Sequence, residues 1–439
     1  MKIKLLDLWD SIRTSLWFIP FLMAGISIIL AQFIISLDKF LILDHREIQS
    51  LFYAGGPEGA RLLLSSIAGS MITVAGVTFS ITMVALTMTT SQFGPRLLRN
   101  FMADRVNQVV LGAFIATFIY CLLVLRSIQE TGGEVSIPRI AVSLSIVLVL
   151  INFGLLIYFF HHVSTSIHAD NVIDSVYRQM ETAIDKIFPG DRNDTDREGQ
   201  QQADTFNFAD MAAAIPASVS GYFRALDEDT LLDFARDHDI VIKLHYRPGD
   251  YIFAQTPLLS FLPAKEVDPE MESRARTAFV IGSSRSPEQD IEFSIKQLVE
   301  VALRALSPGI NDPYTAISCI DRLGSALCLI NGKHFPSPYR YDDRKKLRLI
   351  LDMVTYSGIL DAAFNQIRQY GRGNVDILIR LMEILHVVSL TTNERERLES
   401  VRRHGNMVYR ASLEAVPEKD DRGDVDDRYQ TLKERLDTA

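Results

Sequence analysis

Between Leu62 and Ser91 the chain reads LLLSSIAGSMITVAGVTFSITMVALTMTTS, thirty residues without a charge. At ~1.5 Å per residue this makes a helix of about 45 Å, well beyond the ~30 Å hydrocarbon core of a bilayer. A membrane architecture follows, with this helix overshooting the core. Its Ser, Thr and Gly content is unusual, because a helix that only anchors a protein needs nothing but Leu, Ile, Val and Phe. Stepping about 100° per residue brings Gly69, Thr73, Gly76, Ser80 and Thr87 onto one face, with Leu86 the bulky intruder. That face suits close approach, by another helix or by water. Thr78, Thr82 and Thr89 fall on the opposite side, so the helix is not cleanly divided into polar and lipid-facing halves.

Three further uncharged runs, Trp17 to Leu37, Val106 to Leu125 and Ile140 to Phe160, have the ~20 residues a span requires. Four transmembrane helices over residues 14–165 are the economical reading, the first a retained anchor because its apolar run is too long for a signal peptide. Residues 1–165 carry eleven Lys/Arg against nine Asp/Glu, and the remainder 34 against 45, so the C-terminal part is acidic and a poor nucleic-acid binder. Lys2, Lys4 and Arg13 precede the first span, and Arg96, Arg99 and Arg105 lie in the loop after the second. The positive-inside bias then puts both termini and that loop in the cytoplasm of a multi-pass bacterial inner-membrane protein. The loop's QFGPRLLRNF reads as a helix break at Gly94-Pro95 followed by a short amphipathic piece at the inner face. Cys121, Cys319 and Cys328 make no disulfide framework, which suits a reducing compartment.

Asn152, deep in the fourth span, requires a hydrogen-bond partner on a neighbouring helix. Helical periodicity continues past His161, Thr165, His168 and Val172 to Phe188, implying one helix that runs on from the fourth span. A polar linker, GDRNDTDREGQQQAD, completes a segment over 166–213. From there the period changes to two, and residues 214–283 read as a small cytoplasmic β unit. Within it, PGDYIFAQTPLL is similar to the hairpins of the biotinyl/lipoyl barrel-sandwich fold, but Lys243 is mid-strand, so a scaffold is implied and not a cofactor-bearing arm. Residues 284–416 read as a helical bundle, including one helix from Asp343 to Gln369, and 417–439 as a loose charged tail. The fold class expected is therefore an α+β membrane protein with four spans, a barrel-sandwich-like β unit and a C-terminal bundle.

The strings LSPGINDPYTAISCIDRLGSAL, QFGPRLLRNF and VNQVVLGAFIATFIYCLLVLR give the chain a resemblance, over nearly its whole length, to the bacterial membrane proteins catalogued as domain of unknown function 2254. The resemblance implies an architecture and an inner-membrane address, and it brings no activity or catalytic residue. The residues themselves contain no P-loop, no dinucleotide fingerprint, no H-E-x-x-H, no nucleophile elbow and no paired-Cys motif, so no enzyme, cofactor or metal is expected. Glu300, Arg304, Asn311, Asp312, Asp321 and Arg322 surround the SPGINDP turn, either as a helix-capping network or as a ligand site. The spans lack internal ionisable residues, which argues against a proton-coupled transporter or a voltage sensor. Two readings remain. One is a homo-oligomeric channel or pore, lined by the second span, with a cytoplasmic gate or vestibule, whose partners would be the bilayer, other copies and an inorganic ion. The other is a membrane-anchored scaffold or sensor in which the same face only packs helices.

Overall fold

The computed structural model describes residues 15, 17–41, 53–97, 102, 104–128, 130–131, 134–135, 137–188, 201–203, 206, 208, 212–264 and 268–438. They fall into two compact units, Leu6–His168 and Ala169–Ala439. Lys2, Lys4, Arg13, Arg99 and most of the 190–204 linker lie outside the described residues.

The first unit holds four helices long and apolar enough to cross a membrane: α1 (Phe18–Leu41), α2 (Pro57–Phe93), α3 (Arg105–Ser127) and α4 (Arg139–Ser166). Helix α2 begins five residues before its apolar run because Pro57 occupies the first turn, where its missing N–H costs no intrahelical bond. It ends at Gly94, whose φ of 110° is open to glycine, and the backbone then makes a single 3-10 turn over Pro95–Leu97. Helix α3 is the hub: it packs on all three others and is the most buried of the four. Polar groups pin this bundle. Asp38, at the end of α1, accepts from the Ile140 and Ala141 N–H groups at 3.1 and 2.9 Å and so caps α4, where Pro138 offers no capping side chain. Asn152 of α4 donates to the Thr117 hydroxyl of α3 at 2.7 Å, the interhelical partner its position requires. A two-residue antiparallel ladder joins β1 (Glu130–Thr131) to β2 (Glu134–Val135) between α3 and α4.

The expected single helix up to Phe188 is interrupted at Ile167-His168. Ser and Thr hydroxyls that compete for backbone carbonyls explain the break: Thr165 donates to the His161 and His162 carbonyls, Ser166 to that of His162.

The second unit opens with α5 (Ala169–Ile187). Its β part comprises β3 (Ala213–Pro216), β4 (Gly221–Leu226), α6 (Glu228–Asp237), β5 (Val241–Leu244), β6 (Tyr251–Ile252), β7 (Pro257–Leu262), α7 (Pro269–Arg276) and β8 (Phe279–Gly282). Helices α8 (Ile291–Ala305) and α9 (Pro313–Asn331) follow, then β9 (Tyr339–Tyr341) and β10 (Leu347–Ile350). The chain closes with α10 (Tyr356–Gly371), α11 (Val375–Leu390), α12 (Arg395–Ala415) and α13 (Lys419–Thr438). The strands make a five-stranded sheet, β3-β7-β5-β10-β9, and a three-stranded one, β6-β4-β8, around a core that includes Phe223, Phe234, Ile242 and Phe261. The strands on either side of the Gln255 turn enter different sheets, so PGDYIFAQTPLL is a crossing between sheets and not a paired hairpin.

Two further expectations change. Residues 343–350 are not the start of a helix. Asp342 gathers the N–H groups of Arg344 and Lys346 and the Arg348 guanidinium into a turn, and Leu347–Ile350 then pairs with β9 and, in parallel, with β5. Short apolar runs fit a buried strand as well as a helix, and here pairing on both sides, with β5 and β9, decides. Nor is the charged tail loose. Val425, Tyr429, Leu432 and Leu436 recur at helical spacing and form one stripe of α13, which packs on α11 and α12. Tyr429 stacks on Tyr409 with ring centroids 4.3 Å apart and donates its hydroxyl to Asn406 at 2.8 Å.

Candidate functional site

The small-residue face of α2 points away from the chain's own helices. Leu64, Ala68, Met71 and Ala75 are the side that packs inward, whereas Gly69, Thr73, Gly76, Ser80 and Thr87 are all exposed. A Cβ placed on Gly69 or Gly76 would meet nothing within 4 Å. The Thr73 hydroxyl donates to the Gly69 carbonyl at 2.8 Å and that of Thr87 to the Met83 carbonyl at 2.9 Å, so both protons turn back onto the helix and oxygen lone pairs face outward. Thr78 and Thr89, from the opposite set, are buried.

Of the basic residues, Arg105 is exposed at the start of α3, while the side chain of Arg96 and all of Arg99 lie outside the described residues. Nearby, Asp104 caps α3 through the Val106 N–H at 2.8 Å and pairs with His162 of α4 at 2.6 Å. Thr82, Leu86, Asn107 and Ser166 enclose a cavity of about 10 Å³, room for one water. Among the described residues no cluster of three His, Cys, Asp or Glu side chains could hold a metal ion.

The residues around the SPGINDP turn do not converge on one point. Glu300 and Arg304 pair along α8 at 3.7 Å, Asp321 bonds Arg380 of α11 at 2.6 Å, and Arg322 reaches Asp174 of α5 at 3.1 Å. Asp312 caps α9 through the Thr315 N–H at 3.1 Å, and Asn311 takes φ 50° to bring it there. Capping and helix-joining account for these contacts.

The second unit instead contains a cavity of about 480 Å³, within the usual range of small-molecule sites. Its floor includes Leu226, Leu244 and Leu351, all buried. Around it stand ion pairs: Arg247 with Glu292 at 2.6 Å, Lys296 with Glu292 at 2.8 Å, and Arg340 with Glu228 at 2.7 Å. Asp290 caps α8 and holds the Arg285 guanidinium by two bonds of 2.7 and 2.8 Å. Gly249, at φ 103°, lets the Pro248 turn approach this pair, since a Cβ there would fall 2.5 Å from the Asp290 carboxylate. Burial pushes the Asp290 carboxyl above its ordinary range despite Arg285. Burial acts the same way on Glu292, but the hydrogen bond and charge of Lys296, with Arg247 beside it, outweigh it and hold that carboxyl low. Sequence reasoning missed this cavity, whose walls come from segments near 187, 226, 245, 290, 336 and 352. The one local signal was the Arg247-Pro248-Gly249-Asp250 turn, legible only as a turn.

The family described as "Predicted membrane protein (DUF2254)" matches residues 13–387. Uncharacterized protein MT1328 of Mycobacterium tuberculosis (strain CDC 1551 / Oshkosh) is 31% identical over 424 residues, which cover 95% of this chain and 80% of that protein. Uncharacterized protein Mb1321c of Mycobacterium bovis is similar to the same extent, 31% over 424 residues with the same coverage. No solved structure matches the chain at a significant level.

Proposed function

The chain belongs to this DUF2254 family of predicted membrane proteins, and from the exposed face of α2 we propose that it works as a homo-oligomeric ion channel or pore. In this reading several α2 helices surround a common axis in a bacterial inner membrane, and both termini and the second unit lie in the cytoplasm as a vestibule or gate. The observation that carries it is the exposed face of Gly69, Thr73, Gly76, Ser80 and Thr87, which the chain's own packing leaves unused. Hydroxyl oxygens whose protons are bonded to their own helix can replace part of a cation's hydration shell. The loop arginines Arg96, Arg99 and Arg105 support the orientation. No catalytic step is assigned to the chain.

The test is mass in detergent together with ion flux in liposomes, for the native protein and Ser80→Leu. A pore predicts an oligomer that conducts, and a variant that stays assembled but loses flux because a hydrophobic constriction excludes water. A monomeric native protein, or an intact Ser80→Leu oligomer with native flux, overturns it. Dissociation of the variant would favour the scaffold reading, in which the face only packs helices.

A further inference from the structure

The pore reading gives the 480 Å³ cavity no role, and the cavity's chemistry points to a ligand of its own. Its charges are of two kinds. Glu228, Asp290 and Glu292 are each held by an arginine or lysine. Two lining side chains of opposite sign, the Lys186 ammonium and the Asp352 carboxylate, are exposed and have no partner among the described residues. Arg247 gives one N–H to Glu292 and a second, at 3.5 Å, to the Met353 carbonyl, which leaves most of its guanidinium donors unassigned.

These features select among ligands. Five carboxylates and three cations line the cavity, and Arg285 and Lys296 neutralise two of those carboxylates, so the site is balanced in charge and suits a ligand without net charge. A cation without an anionic group makes no use of Lys186 or of the remaining Arg247 N–H groups. An uncharged apolar molecule uses only the floor of Leu244, Leu351 and Met353.

We propose that this cavity binds a small zwitterion with an apolar body, of the size and kind of an apolar amino acid or dipeptide. The ligand carboxylate meets Lys186 and the remaining Arg247 N–H groups, its ammonium meets Asp352, and its side chains lie on Leu244, Leu351 and Met353. The site does not depend on the pore: a protein that bound such a molecule and conducted nothing would keep it.

The experiment is calorimetric titration of the full-length protein in detergent with leucine and leucyl-leucine, and with octanoate and octylamine as carriers of one charge each. Saturable binding of leucine or leucyl-leucine is expected, with at least tenfold weaker binding of either single-charge probe. Lys186→Glu and Asp352→Lys change exposed side chains and leave the fold intact, and each is expected to weaken the dipeptide at least tenfold. Leu244→Trp, which fills the floor, is expected to abolish binding. Failure of both zwitterions to bind, equal binding of octanoate or octylamine, or native affinity in Lys186→Glu and Asp352→Lys overturns the proposal. Flux measured on the same variants separates the two ideas, because native flux with lost binding leaves the pore reading untouched.

Discussion

Helices α2 and α3 pack against each other and draw on the same small residues, yet the chain uses those residues differently. In α3, Gly112 is the point where α1 comes close: a Cβ there would fall 2.7 Å from Met23 Sδ and 3.1 Å from Pro20 Cα. In α2, Gly69 and Gly76 open onto empty space. The polar groups divide in the same way. Thr117 of α3 is buried and bonded to Asn152, whereas Thr73 and Thr87 of α2 are exposed and bonded only to their own helix. Gly112 and Thr117 of α3 are explained by intrachain packing, whereas Gly69, Thr73, Gly76, Ser80 and Thr87 of α2 take no part in it. Identical residue types on adjacent helices therefore carry different information, and burial separates them.

The sharpest way to break this contrast is to substitute the two kinds of glycine. Gly112→Val forces a side chain against the α1 backbone, and a loss of about 3 kcal/mol is expected, seen as reduced yield of folded protein and a lower Tm in detergent. An unchanged Tm would remove the distinction. Next in size is an acid effect that belongs to the second unit alone. Burial lowers the His404 pKa to about 4, against the opposing pull of Asp361. Between that value and the unfolded ~6.5 the unfolded chain binds the proton and the folded one does not, so stability is full above about pH 6.5 and falls as pH drops toward 4. A loss of about 2 kcal/mol is expected at pH 5 relative to pH 8. Hydrogen exchange of the α10 and α12 peptides reads it, and His404→Gln flattens the slope. Equal acid sensitivity in α1 to α4 would mean that the two units do not respond separately.

Smaller still is Asn152→Leu, which leaves the buried Thr117 hydroxyl without its partner and should cost about 1 kcal/mol, measured by unfolding in mixed micelles. Smallest is Gly76→Val, for which about 0 kcal/mol is expected on the monomer fold, because nothing stands in the way of the new side chain. Its effect should appear only in oligomer mass, and a lowered Tm of the isolated monomer would place the face inside the chain's own packing.

How much of this was legible in the residues follows from the range of each signal. Hydropathy located the four spans but not the first turns of α2, since Pro57, Glu58 and Arg61 are helical without being apolar. The cap at Asp312 was legible because one side chain serves the next turn, whereas the cap at Thr355 was hidden inside the helix expected from Asp343 to Gln369. Strand β10 was not, because four residues carry too short a period and its pairing partner β5 lies about a hundred residues away. Helix α13 was hidden by its charge, although four apolar positions at helical spacing were present. The polar residues near SPGINDP are close in sequence yet turn to different partners, whereas the cavity joins segments that have no sequence proximity at all.

The length of α2 bears on the membrane itself. Its 37 residues make a rod of about 55 Å, of which the uncharged part alone is about 45 Å, against ~30 Å of hydrocarbon. Such a rod lies flush only at a tilt near 50°, steeper than the ~0 to 40° at which spanning helices ordinarily stand. Otherwise its Thr- and Ser-bearing end projects through the headgroups. Either way the bilayer and the helix are mismatched, and thinning the bilayer must lean the rod further over or expose more of it. Lipid thickness thus sets how far this helix must lean or protrude.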